Sequence, residues 1–162
     1  MNRVCCFLVF AIFLITSCRE DESPQSYLNG TYENTGTNAE TGISYVSQYI
    51  FKGDGTFERI GLIREEGQLL GYNFYSKGTY SLRGEEFTIS DGQMAGVNYG
   101  DYPEGYVASL ELLEDYAIEP LESKGTLRQL DGGDRIGILL ECNDMIGYAA
   151  MCMGEQIYEM VD

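Results

Sequence analysis

The sequence predicts an all-β domain, built as an antiparallel meander of about eight strands. From residue 30 onwards, β-rich runs alternate with glycines and acidic turns. Before residue 144, no stretch of ten or more residues repeats its apolar side chains at the 3.6-residue period of a helix. Short strands joined by regular turns are typical of a barrel or a sandwich.

The first half of the domain contains five candidate strands, at 30–35, 44–52, 56–64, 72–83 and 86–90. The turn Gly53-Asp54-Gly55 offers glycines where the backbone needs positive φ. The fourth strand has the clearest alternation, and its inner face is predicted to carry Tyr72, Phe74, Ser76, Gly78, Tyr80 and Leu82.

The second half is less regular. Residues 91–105 are predicted to form a polar loop, and 107–113 a strand with Leu110 and Leu112 inward. Strands 125–130 and 135–142 should pair across a Gly-rich acidic turn, and 156–161 should close the domain. Residues 144–153 fit either a short helix or another strand.

An inward-facing set follows from these alternations. Its members are mostly apolar: Phe51, Phe57, Tyr72, Phe74, Tyr80, Leu82, Phe87, Ile89, Leu110, Leu112, Ile138, Leu140, Tyr158 and Met160. An eight-stranded barrel can be filled by side chains or can hold one small ligand. Two alternatives therefore stay open: a filled core, or a ligand cavity lined by Tyr72, Phe74, Tyr80 and Tyr158.

The N-terminus predicts a secretory signal. Arg3 precedes an apolar run at 4–15, which is too short to cross a hydrocarbon core of about 30 Å. The sequence Ile15-Thr16-Ser17-Cys18 resembles the bacterial lipobox. That resemblance implies cleavage before Cys18 and a covalent diacylglycerol or acyl lipid on its sulfur.

The expected organisation is a signal peptide at 1–17, a lipidated cysteine with a flexible acidic tether at 18–26, and one domain at 27–162. The implied location is the outer membrane, reached through the lipid anchor. The acidic cluster after Cys18 also resembles the export signal of certain Gram-negative surface lipoproteins. A solvated linker without an address is the alternative.

Three motifs resemble those of lipocalin-like lipoproteins on Gram-negative surfaces. They are Leu28-Asn29-Gly30-Thr31-Tyr32, Tyr49-Ile50-Phe51-Lys52-Gly53-Asp54-Gly55-Thr56-Phe57, and Gly78-Thr79-Tyr80-Ser81-Leu82-Arg83-Gly84 followed by Phe87-Thr88-Ile89. The resemblance implies a lipocalin-like β-barrel. Tyr32 stands where classical lipocalins have tryptophan, so that family's ligand contacts are not carried over.

Composition restricts the chemistry. The chain has 10 basic and 26 acidic residues, a formal charge of −16, and no histidine. Such a charge repels nucleic acid, and the lack of histidine excludes Ser-His-Asp and Cys-His catalysis. Adjacent acidic pairs such as Glu65-Glu66 point to opposite strand faces, so they cannot form a glycosidase pair. Acidic turns at 101–104 and 131–134 lack the ligand spacing of a calcium loop. We expect no cofactor, no metal and no enzyme.

Two features leave alternatives open. The tyrosine-rich loop at 99–106 could cover the mouth of a barrel, contact a partner, or pack down on the domain. Cys142 and Cys152 form a disulfide in an oxidising compartment or remain two buried thiols, and intact mass with and without reductant distinguishes these states.

The sequence therefore favours non-enzymatic binding of a small apolar or amphipathic ligand. The alternative is an accessory or structural cell-surface lipoprotein that binds an envelope protein or a glycan through its loops.

Overall fold

A computed structural model describes residues 25–116, 121–141 and 154–161. Ten strands are present in these ranges: β1 (Gln25–Ser26), β2 (Gly30–Thr37), β3 (Ile43–Phe51), β4 (Thr56–Glu65), β5 (Gln68–Arg83), β6 (Glu86–Gly96), β7 (Glu114–Asp115), β8 (Leu121–Leu130), β9 (Arg135–Leu140) and β10 (Gln156–Val161). Cys18, the Cys142–Cys152 pair and the ambiguous stretch at 144–153 lie outside the described residues.

Eight of these strands form a closed ring. Each strand from β2 to β6 pairs with the next, β6 pairs with β8, and β8, β9 and β10 lead back to β2. Every pairing is antiparallel. Two short strands pair with the ring at its opposite ends: β1 pairs with β5, and β7 pairs with β6. The prediction of an antiparallel all-β domain is thus confirmed.

The turn between β3 and β4 shows how local sequence sets this topology. Gly55 has φ +83°, in the left-handed region that glycine tolerates. The Asp54 carboxylate accepts hydrogen bonds from the Thr56 amide at 2.9 Å and from the Thr56 hydroxyl at 2.6 Å. These contacts fix the register in which Phe51 faces Phe57.

An aromatic cluster fills the part of the ring nearest β1. It contains seven rings that are connected through pairwise contacts: Tyr32, Tyr49, Phe51, Phe57, Tyr80, Phe87 and Tyr158. The Phe51 ring lies near the centre and is 1% exposed. Such rings contribute large buried apolar area and edge-to-face contacts. This half of the ring is a packed core.

A second apolar layer covers the outer face of β3, β4 and β5. Val46, Ile60 and Leu62, which alternate with the inward residues of their strands, form one cluster there. Ala95, Val97, Val107 and Leu113 form another. The chain from 97 to 116 leaves β6 and folds back over this face, which explains why these strands carry apolar residues on both sides.

The predictions for this region were wrong in detail. β6 continues to Gly96, so the predicted loop at 91–105 begins too early. Residues 107–113 are not a strand: Val107 forms one isolated bridge with Tyr72, and Leu110–Leu112 is a 3-10 turn. Leu110 packs on the outer clusters rather than inside the ring, and Leu112 is 47% exposed.

Most of the other predicted inward residues are buried in the ring, and Leu140 packs against that core. Met160 is an exception because it lies at the end of β10 and is 40% exposed. In the described ranges, no helix is long and apolar enough to span a membrane.

Candidate functional site

A pocket of about 230 Å³ lies at the end of the ring opposite β1. We call it the loop-end pocket. Its wall comes from three strands and from the chain between β6 and β7: Ile43, Tyr45, Ile63, Asn73, Tyr99, Pro103, Glu104, Gly105 and Tyr106. The loop at 99–106 therefore reaches over the open end of the ring.

Strand alternation places Tyr45 and Ile63 in this wall. Tyr45 shares the inward face of β3 with Tyr49, and it pairs directly with Ile63 on β4. Ile63 is 3% exposed, whereas Tyr45 is 55% exposed. The pair thus supplies a buried apolar surface and an accessible aromatic ring side by side.

A β-bulge places Asn73 in the wall. Gly61 pairs with Phe74 and Leu62 pairs with Tyr72, so Asn73 is an extra residue in β5. Bulges redirect side chains in this way. A Cβ atom on Gly61 would lie 2.0 Å from the Asn73 side-chain oxygen. The glycine therefore leaves the space that the Asn73 amide occupies.

A second glycine positions Tyr106. A Cβ atom on Gly71 would lie 2.7 Å from the Tyr106 ring and 2.3 Å from the Val107 carbonyl oxygen. Two backbone hydrogen bonds of 2.8 Å join Tyr72 to Val107 immediately beyond this contact. The absence of a side chain at Gly71 therefore leaves the space in which the Tyr106 ring packs against β5.

Asn98 organises the rest of the loop. Its side-chain oxygen accepts from the Gly100 amide at 2.9 Å, and its side-chain nitrogen donates to Asp101 at 3.1 Å and to Glu114 at 3.0 Å. Tyr102 packs on the outer cluster, whereas Tyr99 is 68% exposed beside the pocket. Tyr102 thus packs on the domain, whereas Tyr99 and Tyr106 line the loop-end pocket.

Tyr80 and Tyr158, two of the four residues predicted to line a ligand cavity, lie in the aromatic core. The Tyr80 hydroxyl accepts from the Leu28 amide at 2.9 Å and has the carbonyl oxygens of Leu28 and Lys52 at 2.8 and 3.0 Å. The Tyr158 ring packs edge-on against Tyr49 at 5.3 Å. Both are enclosed by neighbouring rings.

Tyr72 and Phe74, the other two residues of the predicted cavity, do not lie in the aromatic core beside Tyr80 and Tyr158. Tyr72 packs in the outer clusters, because the extra residue Asn73 reverses the alternation of β5. Phe74 stays inside, with the Arg59 guanidinium 5.1 Å from its ring centroid. None of the four belongs to the wall of the loop-end pocket.

Arg59 forms a polar layer between the aromatic core and the loop end. Its guanidinium also lies 5.5 Å from the Tyr49 ring centroid. In the described ranges no carboxylate is within ion-pair distance of it. Burial raises the pKa of Tyr49 to about 12, and the Arg59 charge opposes that rise.

Asp91 carries the opposing charge in the same layer. Burial raises the pKa of its carboxyl, while the nearby Ser76 hydroxyl and the Arg59 charge act to lower it. Ser76 is fully buried, and its hydroxyl has no partner of full hydrogen-bond geometry in the described part of the chain.

Sequence reasoning missed Ile43, Tyr45, Ile63 and Asn73. A signal was available for the first three, because they continue the inward alternation of Tyr49 and Phe57. For Asn73 no signal was available, since the bulge follows from pairing between strands. In the described ranges, no group of three or more acidic or cysteine side chains could hold a metal ion.

Comparison with known proteins found no matching family model, no matching curated protein and no matching solved structure.

Proposed function

We propose that this chain is a membrane-anchored, lipocalin-like β-barrel lipoprotein. Its function in this proposal is to bind one small amphipathic ligand in the loop-end pocket without catalysing a reaction. The anchor is the lipid on Cys18, and the location is the outer membrane. The closed ring of eight strands supports the barrel assignment. A barrel of this size is either filled by side chains or holds one small ligand.

The observation that carries the proposal is the way in which the pocket is constructed. Gly61 and Gly71 each lack the Cβ atom that would displace Asn73 or Tyr106 from the wall. The wall combines apolar surface from Ile63 with the amide of Asn73, and such a mixture is usual for a small-molecule site. The ring interior next to β1 is already filled by aromatic side chains.

Native mass spectrometry of the full chain, released from detergent micelles, tests the proposal. We expect a co-purifying small molecule on the parent. Gly61→Ala should reduce its occupancy by at least about tenfold, because the added Cβ would displace the Asn73 amide. Gly36→Ala is the matched control, since nothing lies within 4 Å of a Cβ at that position. Equal occupancy in both variants, or no bound mass in the parent, would contradict the proposal.

One observation favours the alternative of a loop-mediated surface contact. Tyr99 and Tyr45 are both large, exposed and located at the same end of the ring, and tyrosine is frequent in interfaces. Under that alternative, Tyr99→Ser should abolish capture of an envelope protein or glycan, and the parent should carry no co-purifying small molecule.

A further inference from the structure

Three tyrosines surround the loop-end pocket without packing on one another. Tyr45, Tyr99 and Tyr106 all belong to its wall. In the described ranges, none of the three rings stacks on another aromatic ring, in contrast to the core. Two of them keep more than half of their surface exposed, at 55% and 68%. The rings of Tyr45 and Tyr99 are therefore accessible to a ligand.

The charge around these rings is negative. Glu104 belongs to the same wall, and none of the described wall residues is basic. Asp101 and Glu114 lie close by, joined through Asn98. The whole chain carries a formal charge of −16. An anionic ligand would be repelled on approach, whereas a cation would be attracted.

Aromatic rings and a carboxylate together define a chemical class of ligand. The face of a tyrosine ring attracts a cation, and several such rings around one small space form the cages that recognise quaternary ammonium groups. At about 230 Å³, the pocket is below the usual size range of drug-sized sites. A compact ammonium head fits these properties better than a long apolar chain.

We propose that the loop-end pocket binds a small organic cation of the quaternary ammonium type, held between Tyr45, Tyr99 and Tyr106 with Glu104 as the counter-charge. This inference rests on the proposed function, because it names the ligand class of the same pocket. Ile63 lies behind the apolar side of this wall, and Asn73 provides a polar contact at the wall.

Isothermal titration calorimetry of the full chain in detergent, with choline and with its neutral isostere 3,3-dimethylbutanol, tests the ligand class. The two probes have nearly the same shape, so that a difference in affinity reports the positive charge. We expect choline to bind at least about tenfold more tightly. Equal affinity for the two probes would overturn the inference and leave the binding proposal intact.

Variants then test the residues. Tyr45→Leu should weaken choline binding about 5- to 30-fold, whereas Tyr45→Phe should retain it, because the ring and not the hydroxyl attracts the cation. Tyr27→Leu is the matched control, since Tyr27 is 48% exposed at the opposite end of the ring. Equal losses in Tyr45→Leu and Tyr45→Phe would overturn the role of the ring face.

The counter-charge has its own control. Glu104→Gln should weaken choline binding and leave 3,3-dimethylbutanol unaffected. Glu85→Gln removes the same charge from an exposed turn at the other end of the ring and should change neither. If neither probe binds but native mass spectrometry detects another small molecule, the ammonium inference fails alone. If nothing binds by either method, the proposed function fails with it.

Discussion

Replacing Tyr80 by phenylalanine separates a structural role for this residue from a ligand-binding role. The hydroxyl lies inside the ring, where it joins the chain before β2 to β5. It accepts from the Leu28 amide at 2.9 Å and can donate to the Leu28 carbonyl at 2.8 Å or to the Lys52 carbonyl at 3.0 Å. One hydroxyl has a single proton, so it serves one carbonyl at a time.

The expected magnitude follows from these contacts. In Tyr80→Phe, the Lys52 carbonyl keeps the hydrogen bond from the Gly55 amide. The amide and the carbonyl of Leu28 would both lose their contact with the Tyr80 hydroxyl. Leu28 is only 4% exposed, so water does not replace that contact. A buried polar group left without a partner costs about 1–3 kcal/mol. Because two such groups are affected, we expect the free energy of unfolding to fall by roughly 2–6 kcal/mol.

Urea unfolding of the full chain, followed by far-ultraviolet circular dichroism, measures this loss. Tyr99→Phe removes an exposed hydroxyl and should stay within about 0.5 kcal/mol of the parent. Ligand occupancy by native mass spectrometry should be unchanged in folded Tyr80→Phe. A variant as stable as the parent, or one that loses its ligand without losing stability, would refute the structural role and favour the cavity lined by Tyr80.

Three further outcomes are expected. Glu33→Gln should cost about 1–3 kcal/mol at neutral pH, because the Glu33 carboxylate accepts hydrogen bonds from both terminal nitrogens of Arg64, at 2.7 and 2.8 Å. That contact lowers the pKa of Glu33, so the loss of stability should disappear as pH falls through the lowered pKa. A difference in stability that persists in acid would contradict this explanation. Gly78→Ala should lower the free energy of unfolding by about 3 kcal/mol, because its Cβ would lie 1.9 Å from a backbone carbonyl oxygen of β6. The control Gly36→Ala should be nearly neutral. Equal urea midpoints for the two variants would show that β5 and β6 can move apart without cost. Cys18→Ala should leave an unprocessed or soluble protein on membrane fractionation, and partitioning like that of the parent would exclude the lipid anchor.

Strand alternation was sufficient to predict much of the ring. The runs around Phe51 and Phe87 have apolar residues at every second position, and the rings of Phe51, Phe57 and Phe87 are at most 1% exposed. Glycine-rich turns gave the order of the strands, because a meander of hairpins pairs each strand with the next. Local pattern and tertiary pairing agree in this part of the chain.

The loop end was less predictable because its structure depends on pairing between distant residues. The bulge at Asn73 is invisible in the sequence of β5 alone, yet it moves Tyr72 from the inner to the outer face. The segment after Gly96 has strand-like composition around Val107 but forms only one bridge. Its apolar residues reflect packing against the outer face of the ring and not membership of a strand.

Arg59 shows a third limit of sequence reasoning. An arginine directly after Glu58 in β4 reads as a solvent-exposed position, yet it shares the inward face with Phe57 and Ile63. Protein surrounds its side chain, although part of its surface stays accessible. Its attraction to Asp91 acts across the ring interior, where charges are screened less than in water.

A double-mutant cycle tests whether these two charges stabilise each other. Arg59→Met keeps most of the apolar stem and removes the charge, which leaves the half-buried Asp91 without its opposing charge. Its pKa, already raised by burial, should then rise further because the opposing charge is gone. Asp91→Asn leaves Arg59 alone in the same way.

In the double variant neither charge remains, so the loss should be smaller than the sum of the two single losses. For charges that share one network we expect a coupling free energy of about 0.5–3 kcal/mol, measured by urea unfolding of all four proteins. Arg64→Met with Asp91→Asn is the control cycle, because Arg64 pairs with Glu33 on the outer face and should show no coupling to Asp91. A coupling below about 0.5 kcal/mol in the Arg59 cycle would mean that the aromatic rings of Tyr49 and Phe74, rather than Asp91, stabilise the Arg59 guanidinium.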